Sequence, residues 1–227
     1  MTTGMAEVNT NFIIFTDGAM DKNWYNPNNW SGQQLTESQG IPGANAEVRI
    51  TAGASINITN AVTVEYFKNG CDGGKKSTGI ITIDGGILLA TGTVDYHSVC
   101  YNRPATLTVK NGGSATFNSR LLVGNKDYQG GSLIIHQGTV RVIGNYYHQS
   151  GYTGTAALKA STTIYTGGLL DVNDMILNAG VVDIAGGVLV IRKDAVDAVN
   201  QWISSGRIIA MSGLDGWRIK VSYDDET

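Results

Sequence analysis

The stretch that decides the fold is Ile81-Thr82-Ile83-Asp84-Gly85-Gly86-Ile87-Leu88-Leu89-Ala90. Two apolar residues alternate with outward positions, a Gly-Gly pair turns the chain, and two more apolar positions alternate after it. Alternation of this kind places one side of a strand inward. The same pattern appears in six segments. They are Ile56-Ile58 with Val62-Val64, Ile81-Ile83 with Leu88-Ala90, Leu107-Val109 with Ala115-Phe117, Leu133-Ile135 with Val140-Val142, Thr162-Ile164 with Leu170-Val172, and Val182-Ile184 with Leu189-Ile191. The corners are Thr59-Asn60, Gly85-Gly86, Gly112-Gly113, Gln137-Gly138, Gly167-Gly168 and Gly186-Gly187.

From first apolar residue to first apolar residue the steps are 25, 26, 26, 29 and 20 residues. Self-similarity at this period means a solenoid, in which each unit buries its apolar side only by stacking on its neighbours. The Leu-x-x-Leu-x-Leu signature of leucine-rich repeats is missing. The fold expected is therefore all-β: a single-stranded, right-handed parallel β-helix with capped ends and a short C-terminal helix. A third strand per coil is expected at Glu65–Phe67, Val94–Tyr96, Leu121–Val123, Asn145–Tyr147 and Met175–Leu177.

The division expected is one domain over 1–227, with a cap and first coil over 1–50, repeat coils over 51–193, and a helix with closing strands over 194–227. Phe12–Phe15 reads as one short strand and Val48-Arg49-Ile50 as the first coil. Asp194 is placed to cap a helix whose Val196, Val199, Trp202 and Ile203 share one side, with Gly206 ending it. Ile208-Ile209 and Ile219–Val221 read as closing strands.

Composition agrees. The 227 residues include 30 Gly and only 3 Pro, and 15% are charged. Glycines without a Gly-X-Y period exclude collagen, and abundant Val, Ile and Leu exclude disorder. A net charge of −3 argues against a nucleic-acid partner. No apolar stretch approaches the roughly 20 residues that span a bilayer. The beginning lacks the regions of a signal peptide, so if the protein is exported, its signal lies outside this sequence. Cys71 and Cys100 fall about one coil apart, which leaves an inter-coil disulfide and two buried thiols as equal alternatives.

Tyrosines, imidazoles and cations gather on the third strands and the loops after them. Seven of the ten tyrosines lie there: Tyr66, Tyr96, Tyr101, Tyr128, Tyr146, Tyr147 and Tyr152. So do His97, His148, Lys68, Lys75, Lys76, Arg103, Arg120 and Lys126. Stacked coils bring such positions within roughly 4.8 Å of one another. The expected result is a strip suited to a long anionic chain. His136, beside Ile135 in a repeat strand, reads as structural or exposed, and Lys75 and Lys76 as solvated.

The segments Asn23-Trp24-Tyr25-Asn26-Pro27-Asn28-Asn29-Trp30 and Ala46–Ile50 resemble the N-terminal cap of secreted bacterial β-helix proteins. Leu121-Leu122-Val123-Gly124-Asn125 resembles their coils, and Gln201–Ile208 their closing segment. Compact members of that group include β-helix alginate lyases similar to polysaccharide lyase family 31. The resemblance implies a secreted or cell-surface protein that cleaves a uronate polymer, alginate first, by β-elimination with lysine and tyrosine as base and acid; a monomer is expected. No family motif aligns residue by residue, so those roles carry over to no particular position.

Elimination on a uronate needs a group that neutralises the carboxylate, a base for the adjacent proton, and an acid for the leaving oxygen. Arg120, Asn145 and Gln149 are candidates for the first role, Lys126 or His148 for the base, and Tyr147 for the acid. Tyr96, His97, Arg103 and Tyr146 complete the expected substrate contacts. A one-residue slip of strand parity would exchange Tyr146 for Tyr147. A non-catalytic carbohydrate-binding or surface module is the alternative. A glycoside hydrolase drawing a carboxylate pair from Asp84, Asp171, Asp174 and Asp183 is a second. No cofactor is expected, and no metal motif occurs, although calcium on scattered aspartates stays open.

Overall fold

The computed structural model describes residues 12–32, 40–51, 53–71, 78–125, 130–150 and 160–223, apart from the Ser150 side chain. It is a parallel β-solenoid of about five turns. Each turn passes through three walls. The first wall stacks Ser55–Ile58, Gly79–Asp84, Ala105–Lys110, Gly131–His136, Ser161–Tyr165, Val181–Ala185 and Ile208–Ala210. The second stacks Ala61–Val64, Ile87–Ala90, Ser114–Phe117, the first parts of Thr139–Ser150 and Leu169–Leu177, and Val188–Ile191. The third runs from Phe12–Phe15 and Glu47–Thr51 through Tyr66–Cys71, His97–Ser98 and Leu121–Asn125 to the second parts of those two long strands.

The apolar positions of the repeat form the core. Ile56, Ile81, Leu107 and Leu133 align in register on the first wall, and all are fully buried. Val62, Leu88, Ala115, Val140 and Leu170 form the matching column on the second. The corners explain the glycine pairs. Gly112 has φ 78°, in the left-handed region that glycine enters without strain. At Gly113 a Cβ would stand 2.8 Å from the Ile83 carbonyl oxygen of the preceding coil. The first residue of the pair turns the chain, and the second lets coils touch.

The N-terminal end is closed by Trp30–Gly32, which pairs antiparallel with Phe12–Phe15. Trp30 packs edge-on against Phe15 and Trp24, and its indole N–H donates to the Trp24 carbonyl at 2.7 Å. At the other end, helix Val196–Ser204 lays Val199, Trp202 and Ile203 against the core. The Asp194 carboxylate accepts from the Val196 N–H, and Gly206, at φ 69°, follows the helix.

One expectation needs correcting, and one pair of alternatives is decided. Ile208–Ala210 is a strand, but 219–221 is not. Ile208–Ala210 ends the first wall, and the chain then turns through Met211–Gly213, where Ser212 is bound by the Asp183 carboxylate. Cys71 and Cys100 are separate buried thiols rather than a disulfide. Lys68 pairs with Ser98, and the Tyr101 N–H donates to the Asn69 carbonyl.

Candidate functional site

One outward column of the third wall reads Ile14, Arg49, Lys68, Ser98, Leu122, Tyr147, Ile176. Around its Arg49–Lys68 end, two tyrosines and three cations converge. Tyr96 and Tyr101 stack with ring centres 6.2 Å apart. The Lys68 ammonium lies 5.0 Å from the Tyr96 ring centre and 5.4 Å from that of Tyr101. The Arg120 guanidinium lies 5.6 Å from Tyr96, and that of Arg49 lies 5.7 Å from Tyr101. Cations over ring faces at such distances are attracted by the ring quadrupole.

Lys68 is almost completely buried and anchored by two carboxylates, Asp95 at 2.8 Å and Glu47 at 3.3 Å. Burial alone would favour the neutral amine. The Asp95 hydrogen bond and the charges of Glu47 and Asp95 outweigh it, holding Lys68 above the ordinary lysine value. Burial, then neighbouring Tyr101, pushes the Tyr96 phenol well above its ordinary range, so Tyr96 stays protonated. Beside Tyr101 a cleft of about 160 Å³ opens, with Phe12 and Ile14 on one side, Asn102 on the other, and Arg49, Thr51 and Cys71 between. Tyr101 belongs to both the stacked pair and the cleft.

The expected site residues separate by parity. Tyr147 faces outward, half-buried, between Leu122 and Ile176 of the adjacent strands. Arg120 is exposed, while Arg103, Asn145 and Tyr96 are half-buried. Asn145 aligns with Asp174, whose carboxylate is held by Lys193 at 2.8 Å.

Four expected residues are interior and so cannot meet a ligand on the outer wall. Tyr146 is fully buried and its hydroxyl hydrogen-bonds with Thr162 at 2.5 Å. His148, also fully buried, donates from Nδ1 to the Ala179 carbonyl at 2.7 Å, and burial lowers it to about 4. An uncharged ring sealed in the core is no base for a polymer outside. His97 is buried likewise and lowered to about 4 by desolvation; its ring accepts from the Phe67 N–H and donates to the Gly92 carbonyl. Gln149, at φ 59°, turns inward and its side-chain oxygen accepts from the Ala160 N–H.

Tyr66 is bound into the fold, stacking on His97 while its hydroxyl accepts from the Val94 and Asp95 N–H groups. His136 is exposed on the first wall. Lys126, Lys75, Lys76, Tyr128 and Tyr152 lie outside the described residues. The aspartates do not form a facing pair. Asp171 is gripped by Arg192 on the second wall, Asp183 by Ser212 on the first, and Asp84 pairs with Lys110.

Asn102 and the cleft itself had no sequence signal, and Arg49 was read only as part of the first coil, Val48-Arg49-Ile50. Arg49 precedes the first recognisable repeat, so periodicity could not align it with Lys68. Among the described residues, no helix is long and apolar enough to cross a membrane. The class of protein these features define is a parallel β-solenoid with a tyrosine–cation strip on one wall. No protein-family model, no curated protein and no solved structure matches the chain.

Proposed function

We propose that the chain is a polysaccharide lyase that binds an anionic uronate polymer along its third wall and cleaves it by β-elimination. What carries the reading is the convergence of Arg49, Lys68 and Arg120 on the stacked pair Tyr96–Tyr101. Sugar rings pack their carbon faces on tyrosines, and guanidinium groups match carboxylates. A nearby arginine stabilises the negative charge that develops when the carbon bearing the carboxylate loses its proton. The electron pair left behind forms a double bond to the neighbouring carbon. The glycosidic oxygen then leaves with its bonding pair and takes a proton. Tyr101 is assigned to both proton transfers, taking the carbon-bound proton as its phenolate and passing it to the leaving oxygen, and Arg49 or Arg120 to the carboxylate; the outward Tyr147, three strands further along the wall, is assigned to packing a neighbouring sugar. The experiment is mass spectrometry of polymannuronate, polyguluronate, alginate and pectate after incubation, in search of unsaturated oligosaccharides.

One observation favours a second reading, a non-catalytic module that docks the same polymer. Arg49 is paired with Glu47, and Lys68 with Glu47 and Asp95, so much of the positive charge is already matched. Retention of the polymer without new chain ends would select it.

A further inference from the structure

The cleft beside Tyr101 holds two kinds of unused hydrogen-bonding group. Arg49 enters it with Nε bonded to Glu47 Oε1 at 2.7 Å, which fixes the plane of the guanidinium. The cation is also pressed on the Phe12 ring, 3.7 Å from its centre. Among the described residues, neither terminal amino group of Arg49 has a hydrogen-bond partner. A planar fork held this way matches a carboxylate through two parallel hydrogen bonds.

The second unused group has the opposite character. The Asn102 side-chain oxygen is buried and, among the described residues, has no partner, and Asn102 is one of the residues that line the same cleft. A buried acceptor without a donor costs free energy that a ligand hydroxyl recovers on binding. The Tyr101 ring and the Phe12 and Ile14 side chains supply apolar walls, and Thr51 adds a hydroxyl. A site that offers a cationic fork, a lone acceptor and aromatic walls asks for a carboxylate and a hydroxyl on one small ring.

We propose that this cleft is a subsite for a single uronate residue, with its carboxylate on Arg49, a ring hydroxyl on Asn102 and its carbon face against Tyr101. This rests on the reading that the third wall takes a uronate polymer, and it makes Arg49 and Asn102 specificity-determining. A neutral sugar ring, or a uronate methyl ester, leaves the guanidinium fork unanswered and is rejected.

Calorimetry of the whole chain with short oligouronates tests the assignment. The wild type binds the acids and not their methyl esters. Arg49→Gln weakens binding about tenfold or more. Asn102→Leu weakens it severalfold while leaving the melting temperature equal or higher, because it removes an unsatisfied buried group. Arg49→Gln binding as tightly as wild type, equal affinity for the ester, or no binding of any oligouronate would overturn the assignment. The two readings fail separately. Arg49-dependent binding without cleavage would leave the subsite standing and remove the lyase. Cleavage by Arg49→Gln at the wild-type rate would do the reverse.

Discussion

The Lys68 ammonium lies 2.8 Å from the Asp95 carboxylate, which binds a third-wall strand to the loop carrying Tyr96 on the next coil. With Glu47 at 3.3 Å, it supports the stacked tyrosines from beneath. Asp95 is itself held below the ordinary carboxylate range by its hydrogen bond to Lys68, although burial pulls the other way.

Removing that support loosens the site more than the fold. Lys68→Ala leaves Asp95 and Glu47 without their shared cation and is expected to cost about 2 kcal/mol, since both carboxylates keep contact with water. Asp95→Asn leaves Glu47 on the lysine and costs about 1 kcal/mol. Chemical denaturation measures both, and equal stability of all three proteins would refute the assignment.

Acid acts through the two interior histidines. His97 and His148 titrate at about 4 in the folded chain, against about 6.5 when unfolded. A depressed folded value makes the unfolded state bind more protons, so this stability is complete above about pH 6.5 and falls as the pH drops towards 4. Each site contributes up to about 3 kcal/mol to that loss. Denaturant midpoints should hold between about pH 7.5 and 6.5 and fall from there to about pH 4.5; a flat profile throughout would contradict the burial of both rings.

Corner chemistry gives a pair of opposite effects. Gln137 holds φ 53° at the position occupied by glycine in the other Gly-corner repeats, so Gln137→Gly should stabilise by about 0.5–1 kcal/mol. Gly113→Ala drives a Cβ to 2.8 Å from the Ile83 carbonyl and should cost about 2 kcal/mol or more. Thermal unfolding of the two variants checks the sign as well as the size.

The solenoid was legible because its causes are local and recur. Inward residues such as Leu107, Leu133 and Leu170 alternate by two, and corners such as Gly112-Gly113 recur at nearly one period. The third wall was harder to read. Tyr146 and Tyr147 are neighbours of one residue type, and only the ladder that pairs Tyr147 with Leu122 decides which faces out. His148 and Gln149 both turn inward because Gln149 adopts a left-handed backbone that alternation does not foresee. Lys68, Tyr96, Tyr101 and Arg120 were visible as members of a strip. Arg49 joins them through pairing of strands that precede the repeat, and Asn102 through a loop with no period.

Within the tyrosines, function and stability should part. Tyr146→Phe leaves the buried Thr162 hydroxyl without its partner and should cost about 1–2 kcal/mol, with any activity retained. Tyr101→Phe removes the hydrogen bond to the Tyr96 phenol and should cost about 1 kcal/mol or less of stability, while lowering product formation by about 10²-fold or more, the scale of a lost proton-transfer group. The reverse pattern would move the chemistry away from the cleft.

The most direct measurement is continuous near-ultraviolet absorbance of the purified chain with alginate, polymannuronate, polyguluronate, pectate and hyaluronan in turn. The absorbing species is the double bond conjugated with the carboxylate, which β-elimination creates and hydrolysis does not. Rising absorbance with at least one of these polymers, abolished by Tyr101→Phe or Arg49→Gln, is the result expected of a lyase working on the third wall. A flat trace with every polymer would contradict it and leave the strip as a docking surface.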